Sequence, residues 1–166
     1  VTFNANNFNV TVPTFSYQGA TSAVITMGSG LWTLTGTGAV WDGRFATTCT
    51  VNRNTANIKV TNTSNTNLSF QGDSKTFNNI WFSRAASTGD ITITGSNTFV
   101  DIKDDGTGTH NLLFTGGTTT TFTTWNVSGT VGKLISLDTA GGGTSAYTLS
   151  CASGIISADY LNIQHS

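Results

Sequence analysis

A chain of 166 residues with 37% hydrophobic and 10% aromatic residues is long enough for one domain with a real core and too apolar for a disordered polymer. Charged residues are only 9%, against a usual share of about 25%. The net charge of -1, with Lys and Arg scattered singly, offers no surface for phosphate neutralisation and excludes nucleic acid as an expected partner. No run approaches the roughly 18 apolar residues of a spanning helix, and no apolar leader precedes the first strands, so no membrane span is expected.

Thr, Ser, Asn and Gly number 33, 16, 16 and 19 and make up half the chain, while Glu is absent. Strong helix formers are scarce, and Thr alternating with Val, Ile and Phe is strand material. In chain order, "FNVTV" (8–12), "LWTLTGTGAVWDG" (31–43) and "ANIKVTNTSNTNLSFQG" (56–72) alternate with period two. A repeat then emerges. "SKTFNNIWF", "SNTFVDIKD" and "TTTFTTWNV" set Phe77, Phe99 and Phe122 at intervals of 22 and 23, each followed three residues later by Ile80, Ile102 and Trp125. The pairs Ile91 and Ile93, Leu112 and Phe114, and Ile135 and Leu137 begin 14, 13 and 13 residues after those Phe. Between the strands, "ASTGD" (86–90), "DDGTGT" (104–109) and "VSGTVG" (127–132) read as equivalent turns in which Gly supplies positive φ. "AYTLSCASG" (146–154) continues the alternation.

A unit of this size cannot bury its own apolar face, so the units are expected to stack as a parallel β-solenoid with rungs of about 22 residues. Phe77, Phe99, Phe122, Ile80, Ile102 and Trp125 then form the core ladder. The alternative is an antiparallel β-sandwich or jelly roll, which also gives many short alternating strands. Cys49 and Cys151 separate the two, because more than four rungs between them would put them far beyond disulfide reach. One solenoid domain over 1–166 is expected. Both ends read as interior to a stack, so a longer chain or a subunit assembly is expected to cover the open edges.

The phrases "GSGLWTLTGTGAVWD", "NIKVTNTS", "KTFNNIWF", "ITITGSNTFVDIK", "LLFTGGTTTTFTTWNVSGT" and "ISADYLNIQHS" resemble the Thr/Gly-rich repeat proteins of tailed bacteriophages and environmental viruses, over roughly residues 28–166. The resemblance implies β-helical repeats and a virion structural role of tail fibre, tailspike or appendage type. It carries no catalytic residues.

Asp101, Asp104 and Asp105 are the densest acidic group in the chain. A glycosidase needs two carboxylates flanking a bond. Asp104 and Asp105 read instead as a turn after Ile102, where neighbouring units carry Ser83, Arg84, Ser128 and Gly129. As calcium ligands the three have less support: Lys103 occupies a ligand position of the D-x-[DN]-x-[DN]-G loop, and no Glu closes it. His110 and His165 lie beside no recognisable nucleophile, and "GTHN" reads as a turn entering the Leu112 strand. Trp81, between Ile80 and Phe82, is expected to point outward as a sugar-stacking or subunit-contact residue. An ice-binding Thr array fails in this register, since Thr92 and Thr94 are followed by Leu113 and Thr115, then by Ser136 and Asp138. No pattern calls for a cofactor. The expected function is thus a non-enzymatic structural module of a virion or other extracellular appendage, partnered by its own copies or by other appendage proteins. The alternatives are a receptor module binding or cleaving cell-surface glycan, and a bacterial adhesin or filament subunit.

Overall fold

The computed structural model describes residues 1–19, 22–45 and 48–166. The chain is a stacked series of levels: β1 (Thr2–Asn4), β2 (Val10–Val12) and β3 (Phe15–Ser16); then β4 (Val24–Thr26), β5 (Leu31–Leu34) and β6 (Gly38–Asp42); then β7 (Thr50–Asn52), β8 (Asn57–Val60) and β9 (Leu68–Gln71). Two-stranded levels follow: β10 (Asn79–Phe82) with β11 (Ile91–Thr94), β12 (Thr98–Asp104) with β13 (His110–Phe114), and β14 (Thr119–Val127) with β15 (Ile135–Thr139). The last level holds β16 (Thr148–Ser150), β17 (Ile155–Ser157) and β18 (Leu161–Ile163). Every pairing between named strands is parallel and joins one level to the next. The fold is a parallel β-solenoid. Among the described residues the one helical segment is a 3-10 turn at Ala140–Gly142, and no helix is long and apolar enough to cross a membrane.

Two faces run the full height. The B sheet is ordered β2-β5-β8-β10-β12-β14-β16, with β17 also on β14, and the C sheet β3-β6-β9-β11-β13-β15-β18. A third face, the A sheet of β1, β4 and β7, closes only the first three levels. Beyond it the corner is made by the turns at 72–75, 95–97 and 116–118, so the cross-section narrows.

The repeat is longer and less even than the expected 22 residues. The inward column Val10, Trp32, Ile58, Ile80, Ile102, Trp125, Ile156 spans 146 positions in six steps, about 24 per turn. Single steps range from 21 residues (Ile91 to Leu112) to 31 (Trp125 to Ile156). The extra residues fall in the corners, where length does not disturb strand pairing. One consequence is a register different from that expected. Leu137 pairs with Leu112 and Ile135 with His110, so the sixth level lies two residues off, and the outward column reads Thr92, Leu113, Asp138.

Inside, aromatic rings form a continuous path. Phe15 meets Trp32 (4.8 Å) and Trp41 (5.0 Å), Trp41 stacks on Phe70 (5.6 Å), Phe70 meets Phe77 (5.0 Å), and Phe77 stacks on Phe99 (5.6 Å). Phe122 continues the column in register with Phe99 and packs on Trp125 (5.0 Å). Ile80 and Ile102 lie fully buried beside them.

The corners are stitched as tightly as the strands. Asn9 Oδ1 accepts from Leu31 N (2.8 Å), Asn65 Oδ1 from Thr88 N (3.0 Å), Asn67 Oδ1 from Asp90 N (2.9 Å), and Asp90 Oδ1 from Asn111 N (3.0 Å). Ser74 Oγ and Ser96 Oγ accept from Ser96 N and Thr119 N. Each bond joins a turn to the turn or strand entry one level up. Short polar side chains are therefore used between levels, which gives the abundance of Asn and Ser a structural cause. Glycine has a second reason as well. Gly132 does take positive φ (+73°), but Gly89 and Gly108 do not; they lie directly over the backbone of the level below. A Cβ on Gly108 would stand 2.2 Å from Ser87 O and 2.5 Å from Ala86 O. Gly108→Ala is expected to cost about 1–3 kcal/mol, as forced overpacking does, read as a lower urea midpoint at unchanged m-value.

Candidate functional site

The three clustered aspartates do not meet. Asp101 lies on the outer face of the B sheet, half-buried, accepting from Asn126 Nδ2 (2.9 Å). Burial raises its pKa, against that hydrogen bond and the Lys103 charge. Asp105 is exposed beside Lys103 Nζ (3.3 Å). Asp104 points the opposite way and is 1% exposed. A strand turns residues 101 and 104 to opposite faces, so these carboxylates cannot share a calcium ion. No group of three metal-binding side chains stands among the described residues.

Asp104 therefore corrects the turn reading. It is the last residue of β12 and occupies a column otherwise made of Val12, Leu34, Val60, Phe82 and Val127. Its partner is His110, the first residue of β13, across the corner: Nε2 to Asp104 Oδ2 is 2.9 Å and Nδ1 to Gly108 O is 2.8 Å. Gly106 N also donates to Asp104 Oδ1 (3.0 Å). With Asp104 ionised, both acceptors call for N–H donors, which favours the imidazolium form of His110. Burial works against that charge, but the hydrogen bond and charge of Asp104, with the Gly108 carbonyl, outweigh burial and the repulsion of Arg84, and the His110 pKa is raised. Neither nitrogen is left to act as a base, so the dyad is not half of a triad.

Arg84, 2% exposed, completes the corner from the level below. Its Nε donates to Asn62 O (3.0 Å), Nη2 to Ser64 O (2.9 Å) and Thr66 O (2.8 Å), and Nη1 to Gly89 O. Burial lowers its pKa, opposed by Asp104 and Asp90. Four backbone carbonyls are thereby tied to one planar cation. The sequence reading missed this corner, although the Phe repeat itself carries the signal: five residues beyond Phe77, Phe99 and Phe122 lie Phe82, Asp104 and Val127. An acid in an apolar column needs a buried partner. The other histidine, His165, bonds Asp138 through Nδ1 (2.7 Å) near the last level.

The outer face of the B sheet holds Trp81. It points outward between Ile80 and Phe82, half-buried. Lys59 Nζ lies 3.8 Å and Lys103 Nζ 4.2 Å from its ring centre. The register puts Lys59 one level before Trp81 and Lys103 one level after, so the ammonium groups cover opposite faces of the indole. The ring is thus not the open stacking platform expected of it. Leu31, Asn57, Asn79 and Asp101 form a parallel row, and a shallow groove of about 310 Å³ lies between the two rows.

Apolar hollows lie at both ends of the column. At the last level, Phe122, Trp125, Leu137, Leu149, Cys151 and Leu161 line a hollow of about 320 Å³. There Ile156 and Ile163 are 63% and 58% exposed. At the first level, Val1, Phe3, Phe15, Tyr17 and Ile25 line another of about 350 Å³. Cys49 and Cys151 belong to the third and last levels and are not joined by a disulfide.

No family model matches the chain, nor does any curated protein or solved structure. Its role must be argued from the geometry.

Proposed function

We propose that this chain is a non-enzymatic structural module: a stiff β-solenoid spacer of a virion fibre, spike or comparable extracellular appendage, working through assembly with its own copies or with neighbouring appendage proteins. The observation that carries this reading is cross-linking between levels: backbone ladders on two full-height faces, a run of ring contacts from Phe15 to Phe99 inside, and turn side chains bonded to the level above. Such a stack resists bending and proteolysis because its backbone groups are paired and its loops are held at both ends. Strand edges and apolar side chains at the first and last described levels are where a further level of the same chain or a neighbouring subunit would stack. Among the described residues, the deeply buried His110 and Asp104 pair has both ring nitrogens bonded, which argues against catalysis there.

Electron microscopy of native material labelled with an antibody to this chain tests the reading. Label is expected along filaments or appendages with a uniform shaft. A dispersed monomer that hydrolyses polysaccharide would overturn it.

A further inference from the structure

We infer that the outer face of the B sheet is a binding groove for an acidic saccharide chain laid along the solenoid axis, its anionic groups meeting Lys59 and Lys103 and its hydroxyls meeting Asp101. This goes beyond the structural reading and does not depend on it.

The cations are prearranged. Lys59 Nζ and Lys103 Nζ stand 3.8 Å and 4.2 Å from the centre of the Trp81 ring, so they are no more than about 8 Å apart, the two distances laid end to end. A long side chain ordinarily loses rotamer freedom on gripping a ligand; here the indole has already fixed both, so that cost is reduced. Lys103 Nζ also lies 3.3 Å from the exposed Asp105 carboxylate, so an anion there exchanges one solvent-screened partner for another, and only an anion that spans both ammonium groups gains from the pair.

The facing wall selects the rest of the ligand. Asp101 can only accept hydrogen bonds when ionised, and among the described residues its side-chain donor is Asn126, at Oδ1. The groove-facing Asp101 carboxylate needs donors, and sugar hydroxyls provide them. A phosphodiester chain offers few donors, brings a charge with every residue, and would set one against Asp101. Spacing agrees as well. Successive levels are about 4.8 Å apart, close to the advance of an extended pyranose chain per sugar, so Lys59 and Lys103 face alternate sugars. The ligand class is a polysaccharide with an acidic group on every second residue.

The test follows indole N–H signals by NMR in the full chain. Trp32, Trp41 and Trp125 are 0%, 0% and 3% exposed, so a titrating indole reports Trp81. Probes are a hyaluronan octasaccharide (carboxylate on alternate sugars), a chondroitin sulfate octasaccharide (carboxylate and sulfate), neutral chitohexaose and an oligothymidylate. One or both acidic saccharides are expected to shift the Trp81 signal saturably, with chitohexaose at least about tenfold weaker, the scale of one charge-assisted hydrogen bond. Whichever acidic probe binds tighter identifies the anion. Lys59→Gln and Lys103→Gln should each weaken binding about tenfold at unchanged melting temperature, and Lys59→Arg should retain it. Asp101→Asn should weaken the saccharide but strengthen any oligonucleotide binding. The inference is overturned if neither acidic saccharide moves Trp81, if chitohexaose binds equally well, or if the oligonucleotide binds more tightly than both and gains from Asp101→Asn.

Discussion

Asp104→Ala is expected to destabilise the protein by about 3–5 kcal/mol and to reverse the sign of its pH dependence. The side chains of His110 and Asp104 are 3% and 1% exposed, so removing the carboxylate strands an imidazolium in the core next to Arg84. In the parent protein the folded-state pKa of His110 lies above its unfolded value of about 6.5. Such a group contributes stability that is fully present below about pH 6.5 and is lost as pH rises through the folded pKa. Stability should therefore fall from about pH 6 toward pH 8.5. In Asp104→Ala, burial and Arg84 depress the His110 pKa with only the Gly108 carbonyl opposing them. Stability is then lost in the other direction, as pH falls through the unfolded value. Urea midpoints at the two pH values measure both slopes. The double variant Asp104→Val with His110→Leu continues the Val60, Phe82, Val127 column and removes both charges, so it should come within about 1–2 kcal/mol of the parent or exceed it. An unchanged slope in Asp104→Ala, or a double variant as weak as the single one, would show that His110 is not held as a cation.

The periodic part of this structure was readable because a Phe followed three residues later by Ile or Trp repeats in or at the start of the paired strands, where pairing forbids insertion. The parallel solenoid and the inward direction of Phe77, Phe99, Ile80 and Ile102 follow from that phrase. Corner length is free, and there reading stopped. The corner between β14 and β15 carries extra residues around the Thr130 to Lys133 bridge, and the C-sheet register slipped by two at that level. The A sheet was invisible for another reason: "TFN", "VIT" and "TVN" are three residues each, too short for a period to show. The aspartate cluster misled because nearness in sequence hides the alternation of a strand. Asp101 and Asp104 belong to different environments, one in a solvent-facing groove and one in the core. Trp81 shows the complementary limit. Alternation gave its direction, while the lysines that cover its faces come from one level below and one above, 22 residues away on either side.

Phe99→Ala is expected to cost about 3–5 kcal/mol, and the damage should be local. Phe99 is 1% exposed, stacks on Phe77 with 22° between ring planes and tilts against Phe70 at 5.8 Å. It belongs to the fifth level, with stacked rings below and Phe122 in register above, so the cavity opens where neither neighbour can collapse into it. In a one-dimensional stack each level is stabilised by its own folding and by two interfaces, so weakening one level weakens both contacts it makes. Amide exchange should therefore lose protection over β10 to β13 first. The Trp32 to Trp41 to Phe70 region rests on its own ring contacts at 5.7 Å and 5.6 Å and should remain protected longer. Phe122→Ala provides the contrast. Phe122 is 5% exposed and lines the hollow at the last level, where solvent and the half-open β16 and β17 strands can fill the space, so its loss should be distinctly smaller. Equal losses for the two variants, or uniform loss of protection along the whole column, would mean that the solenoid unfolds as a single block rather than as coupled levels, and that its stiffness is set globally instead of by nearest neighbours.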